Sequence, residues 1–140
     1  MRFKKRPEVV ADMFIPARRF LDFCKLYEQD FGFYPLWIVP YRVPDAYPLR
    51  NPEHFARMAD DLLIDCAVYG MKNNGESDAS VRLEQATFEL DGIKALIGRN
   101  HYTRDRFWQI YDETNYDAAE KSLDPNGTFP NLYAKLGNTG

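Results

Sequence analysis

Near its start the chain changes apolar period at a single proline, and this limits what it can fold into. Val9–Ile15 (VVADMFI) is rich in β-formers and stops at Pro16, which reads as a strand ending in a rigid corner. From Ala17 onward, Phe20, Phe23, Cys24, Tyr27 and Phe31 fall at helical spacing, with Arg18, Arg19, Lys25 and Glu28 opposite. Gly32 closes that helix.

The next segment, FYPLWIVPYRVP, leaves Leu36–Val39 as a short strand core among Pro35, Pro40 and Pro44. Pro40 argues for an edge position or a bulge, because proline cannot donate to an inner ladder. Asn51-Pro52-Glu53 opens a short helix through Met58. LLIDCAVYG (62–70) is the clearest strand, stopped by Gly70 and the polar run KNNGESD. Leu83, Ala86, Leu90, Ile93 and Ile97 then step by three or four residues, predicting one long helix over Asp78–Ile97. Gly92 inside it would cost about 1 kcal/mol.

Strand, helix, strand, strand, helix predicts an α+β fold. It suits a ferredoxin-like split βαβ antiparallel sheet with helices on one face and its last strand missing or displaced. After residue 102 the pattern changes to short helices at Thr103–Tyr111, around Ala118–Leu123, and at Pro130–Leu136. The expected division is therefore 1–102 for the α+β part and 103–140 for a helical segment.

At 140 residues and 45% apolar, one domain with a real core is expected. Ten Phe, nine Tyr and two Trp are either an aromatic-rich core or the lining of a ligand or subunit surface. A net charge of −3 gives no general attraction for nucleic acid or anionic membrane. The cationic start MRFKKRP reads as a solvated arm, too short and polar for a signal peptide. No window approaches the ~20 apolar residues of a membrane span. Cys24 and Cys66 sit in apolar patterns and read as buried thiols of a reducing compartment, giving a cytoplasmic expectation.

No phosphate-cradling glycine loop, nucleophile elbow or metal-ligand spacing is present, and no metal is expected. His54 with Asp60 and Asp61 reads as a solvated helix face. Asp65, inside a strand face shared with Leu63, Ala67 and Tyr69, must be paired or lie on a face turned toward something polar. GRNHYTRDRFW (98–108) holds the second of two histidines between arginines. By itself it is either a catalytic histidine with a basic clamp or the polar start of a helix anchored by Phe107 and Trp108.

In order along the chain, FYPLWIVPYRVP, LLIDCAVYG, RDRFWQIYD and FPNLYAKLG resemble the end of the Δ24-sterol reductases. GRNHYTR followed by SLDPNGTFPNLYAKLG resembles the end of the sugar-lactone and alditol oxidases. Both are branches of the FAD-linked oxidoreductases of the vanillyl-alcohol oxidase class. The resemblance implies FAD held mainly by an N-terminal domain of the same full-length protein, absent from this chain. Residues 1–102 would then be part of the cap that covers the flavin and shapes a small-molecule substrate site, and 103–140 would pack on the FAD-binding domain. It further implies His101 and Arg104 as catalytic residues, with Arg99, Asn100, His101 and Tyr102 beside the cofactor. Trp37, Arg42 and Tyr69 are the expected cap-lining residues. A hydroxylated sugar-like alcohol and a hydrophobic alkene both suit such a pocket. The competing expectation is a self-sufficient, non-catalytic ferredoxin-like module for ligand binding or dimerisation.

Overall fold

The structure, a computed structural model, describes residues 9–43, 47–73 and 78–136, and the cationic arm at the start lies outside the described residues. Strand β1 (Val9–Pro16) follows the predicted alternation. Val9, Ala11, Met13 and Ile15 are buried, while Val10, Asp12 and Phe14 look to the other side. After a single 3-10 turn, α1 (Phe20–Asp30) buries Phe23 and Tyr27, and Gly32 (φ 53°) ends it in the left-handed region. Strand β2 (Trp37–Arg42) lies at a sheet edge, pairing only with β3, which is why Pro40 is tolerated inside it. Helix α2 (Pro52–Met58) begins as the sequence predicts, with the Asn51 side chain accepting from the amides of Glu53 and His54.

Strand β3 (Leu62–Met71) pairs antiparallel with both β1 and β2. Helix α3 (Ala79–Glu89) follows, but it stops well short of Ile97. Asp91 turns to φ 58° there, and Gly92 passes so close to the backbone that a Cβ would sit 2.8 Å from the Phe14 carbonyl oxygen. The chain is thereby turned into β4 (Ile93–Lys94), antiparallel to β1. The predicted long helix is thus a helix, a tight turn and a strand. Ile93 satisfies a three-four stripe and a two-residue alternation equally well, so the apolar pattern alone did not separate them.

With β4 in place the sheet order is β2-β3-β1-β4, every neighbour antiparallel, which is the ferredoxin-like arrangement. Helices α1 and α3 cover one face, where Phe23, Tyr27 and Leu83 meet Met13, Ile15, Cys66 and Val68. Full burial of Phe23 and Leu83 contributes about 2–3 kcal/mol each, enough to fix the helices on that side.

The tail forms α4 (Arg104–Ile110), α5 (Glu113–Leu123) and α6 (Leu132–Leu136). It builds a second apolar cluster in which Phe107, Trp108, Ile110 and Tyr111 pack with Phe88, Ile93 and Leu96. Phe107 and Trp108 anchor α4 in this cluster, as the helix alternative for GRNHYTRDRFW expected. Neither α5 nor α6 buries a residue fully, and Leu123 and Phe129 stand exposed.

His54 requires a correction. It is wholly buried, donating from Nε2 to the Gly92 carbonyl at 3.0 Å and stacking beside Phe88, with Arg57 on Nδ1. Burial holds its pKa below the usual histidine range. It ties α2 to the turn before β4, a long-range contact that the local pattern did not disclose.

Candidate functional site

Polar side chains gather in two places, one at the β4 edge and one on the helix-free sheet face. At the edge, Gly98 (φ 67°) presses against the Val10 carbonyl, and the chain then climbs onto α3. Glu84, only 2% exposed, is the hub. It is paired with the buried Lys94 and accepts from the His101 backbone amide at 2.9 and 3.1 Å. Lys94 also donates to the Arg99 carbonyl at 2.6 Å, and Tyr102 donates its hydroxyl to the Glu84 carbonyl at 2.9 Å. Arg99 clasps Asp78, whose carboxyl is held down at about 2 despite its desolvation, by hydrogen bonds from Ser80 and Arg99.

His101 lies half-buried with Nε2 2.7 Å from the Ser80 hydroxyl, which itself donates to Asp78 at 2.8 Å. A hydroxyl has one proton to give, so Nε2 of His101 carries the hydrogen in this chain of contacts. Burial holds the imidazole below its usual pKa and therefore neutral at neutral pH. Beside it runs an open cleft of about 370 Å³ lined by Val81, Gln85, Phe88 and Arg106, with the Arg106 guanidinium 3.8 Å above the Phe88 ring. Asn100 is buried with neither end of its amide hydrogen-bonded. Arg104 sits apart from this network, paired with Glu113 at 2.9 Å and fully exposed.

The second place is the sheet face without helices. Register sets Val39, Asp65, Phe14 and Ile93 in one row across the four strands, and Trp37, Ala67 and Asp12 in the next. Tyr69 follows beside Val10, and its hydroxyl donates to Asp12. Asp65 is 7% exposed, and its Oδ1 has no hydrogen-bond partner among the described residues. Its pKa is pushed up to about 6, first by burial and then by the charge of Asp12. Around this acid stand exposed rings: Trp37 (66%), Tyr69 (52%) and Tyr41 (47%), the last edge-on to Phe14. Past Phe14 the face opens into a groove of about 380 Å³ among Leu63, Ile93 and Tyr111. Arg50 is buried at its wall, over the Phe55 ring, with no carboxylate partner among the described residues.

Of the predicted residues, the structure brings Trp37 and Tyr69 together on this face. Arg42 alternates to the other side of β2 and is taken by Asp61 at 2.7 Å. The 99–102 segment is separate from the face, though its start at Gly98 flanks Val10, the strand neighbour of Tyr69. Asp12, Glu84 and Lys94 were missed by sequence reasoning. Alternation in VVADMFI does place Asp12 with Phe14, and Ser80, Leu83, Glu84 and Thr87 form an inward stripe on α3. Lys94 was hidden by the overlong helix. A larger cleft, about 730 Å³ between the end of α1 and the start of α3, lies elsewhere, and there Arg82 closes on Asp30. Among the described residues no helix is long and apolar enough to cross a membrane, and no three metal-ligating side chains gather.

Curated proteins align along nearly the whole chain. Those of Rattus norvegicus and Homo sapiens, both Delta(24)-sterol reductases, are each 25% identical over 131 residues, covering 91% of this chain and 25% of theirs. The likeness supports a relationship to the Delta(24)-sterol reductases. A Delta(24)-sterol reductase homolog of Caenorhabditis elegans is 24% identical over 141 residues, 96% of this chain and 26% of its own. The chain thus spans about a quarter of the length of these sterol reductases. No family model matches the chain, and no solved structure does.

Proposed function

We propose that this chain is the C-terminal, substrate-side portion of an FAD-dependent oxidoreductase, with its helix-free sheet face turned toward the flavin and a small-molecule substrate. The observation that carries the reading is that face itself. An α+β sheet covered on one side leaves Trp37, Tyr41 and Tyr69 exposed around a buried carboxyl on the other, and such a patch marks a binding surface. The quarter-length match to sterol reductases supports a larger protein whose other part holds the flavin. It also favours an apolar, sterol-like alkene over a sugar-like alcohol, because the rings outnumber the polar groups on the face.

The exposed rings of Trp37, Tyr41 and Tyr69 suit a flat ring system such as a flavin on the helix-free face. The cleft beside His101, with its aromatic and guanidinium lining, lies across the sheet from Asp65 and would meet a different part of the cofactor. When bound, the flavin supplies hydride transfer. In this reading His101 and Arg99 present the cofactor side of the 99–102 segment, while Tyr102 and Glu84 hold it in place. Arg104 would have to leave Glu113 to offer its charge to reduced flavin. The exposed outer sides of α5 and α6 suit packing against an FAD-binding domain. The full-length protein is expected to purify yellow with bound FAD, and a colourless, flavin-free full-length protein would overturn the reading.

One observation favours the alternative, a non-catalytic module: the tail packs a cluster of its own against β4. Hydrogen exchange on the isolated chain separates the two. Protection throughout residues 103–137 supports the module, and rapid exchange in α5 and α6 supports a missing partner domain.

A further inference from the structure

We infer that Asp65 is the proton donor of the helix-free face, acting on the substrate there. The inference rests on the reading above and names the residue that does the acid–base work within it. Asp65 lies on β3, an inner strand, between Phe14 and Val39 in register, so its carboxyl has a fixed position. It is more than nine-tenths buried, and its Oδ1 meets no donor among the described residues. A buried polar oxygen without a partner costs stability and is kept where a ligand or a reaction uses it. Trp37, Tyr41 and Tyr69 stand exposed on the same face and give an apolar ligand its walls.

The charged and titratable groups sharing this face are Asp12, Tyr69 and Tyr41, with Arg50, Tyr47 and Tyr111 along the groove past Phe14. Asp12, already holding the Tyr69 hydroxyl, opposes a second negative charge nearby, and burial acts in the same direction. His101, the other acid–base candidate, has its Nε2 committed to Ser80.

One carbon of a substrate C=C bond receives the hydride of the reduced flavin, and the O–H of Asp65 gives its proton to the other carbon. The π bond is replaced by two C–H bonds, leaving oxidised flavin and an Asp65 carboxylate. That carboxylate regains a proton from solvent at the exposed Tyr69 side of the face.

The test uses the full-length flavoprotein, reduced anaerobically with dithionite and mixed with a Delta(24)-sterol. Asp65→Asn and Asp65→Ala should reoxidise roughly 100-fold or more slowly with unchanged flavin content. Added formate should restore Asp65→Ala but not Asp65→Asn, a rescue that a purely structural role would not give. Reoxidation of Asp65→Asn at the wild-type rate, or no formate rescue, overturns the assignment. Infrared difference spectra give a readout apart from turnover. A carboxyl band absent from Asp65→Asn should shift when the sterol binds, and an unmoved band would count against Asp65. Absence of flavin from the full-length protein would instead defeat the earlier reading, and the infrared band would still decide the place of Asp65.

Discussion

Two buried carboxylates lie on opposite faces of the same sheet and differ in one respect. Glu84, on the inward side of α3, is answered by Lys94 and by the His101 amide, so its charge is compensated where it lies. Asp65, on the helix-free face, has an oxygen that no described residue answers. A satisfied buried pair is strongly destabilising to break, whereas an unsatisfied acid is a cost already carried. The difference separates a site that holds the fold from one that is free to do chemistry. It also places most of the GRNHYT segment on the structural side, since its backbone and Tyr102 are fastened to Glu84.

The most damaging change to this contrast should be Glu84→Leu, which strands Lys94 in the interior. Loss of about 3–5 kcal/mol is expected in denaturant unfolding, with most of it recovered in the Glu84→Leu/Lys94→Met double variant. A small loss in the single variant would abolish the distinction.

Asp65→Asn should do the opposite and stabilise the fold at pH 7 by about 1–2 kcal/mol. The sign follows from the raised pKa. The folded protein keeps this proton up to about 6, whereas the unfolded chain releases it near the ordinary value of 3.8. Wild-type stability therefore falls as pH rises from about 4 through about 6, and the full penalty stands above that. The gain of the asparagine variant should vanish below about pH 4, as unfolding at a series of pH values will show.

His101→Ala removes the Ser80 contact and should cost about 1 kcal/mol in stability, with the rate of flavin reoxidation by substrate little changed. A 100-fold slower step would transfer the proton to the histidine. Arg104→Ala, at an exposed pair with Glu113, should leave the melting temperature unchanged.

Much of this was legible in the residues. Val9–Ile15, Pro52–Met58 and Leu62–Gly70 were recognisable because alternation, a proline at a first turn and a glycine stop are local signals. Asp65 stood out for the same reason, as an acid inside an apolar strand. The 90–97 stretch misled, because a two-residue strand has too little pattern to outweigh a continuing helical stripe. His54 misled as well, because its burial depends on Gly92, 38 positions away.

The sequence by itself determined the α+β class, the order of elements as far as the start of α3, an edge or bulged place for β2 and the strand face that Asp65 shares with Tyr69. These follow from periodicity and from the missing proline N–H, which act within a few residues. Only the tertiary structure decided that β4 completes the sheet, that Glu84 is answered and that Asp65 is not. A buried charge is satisfied or orphaned by what lies across the fold, and no local pattern records that.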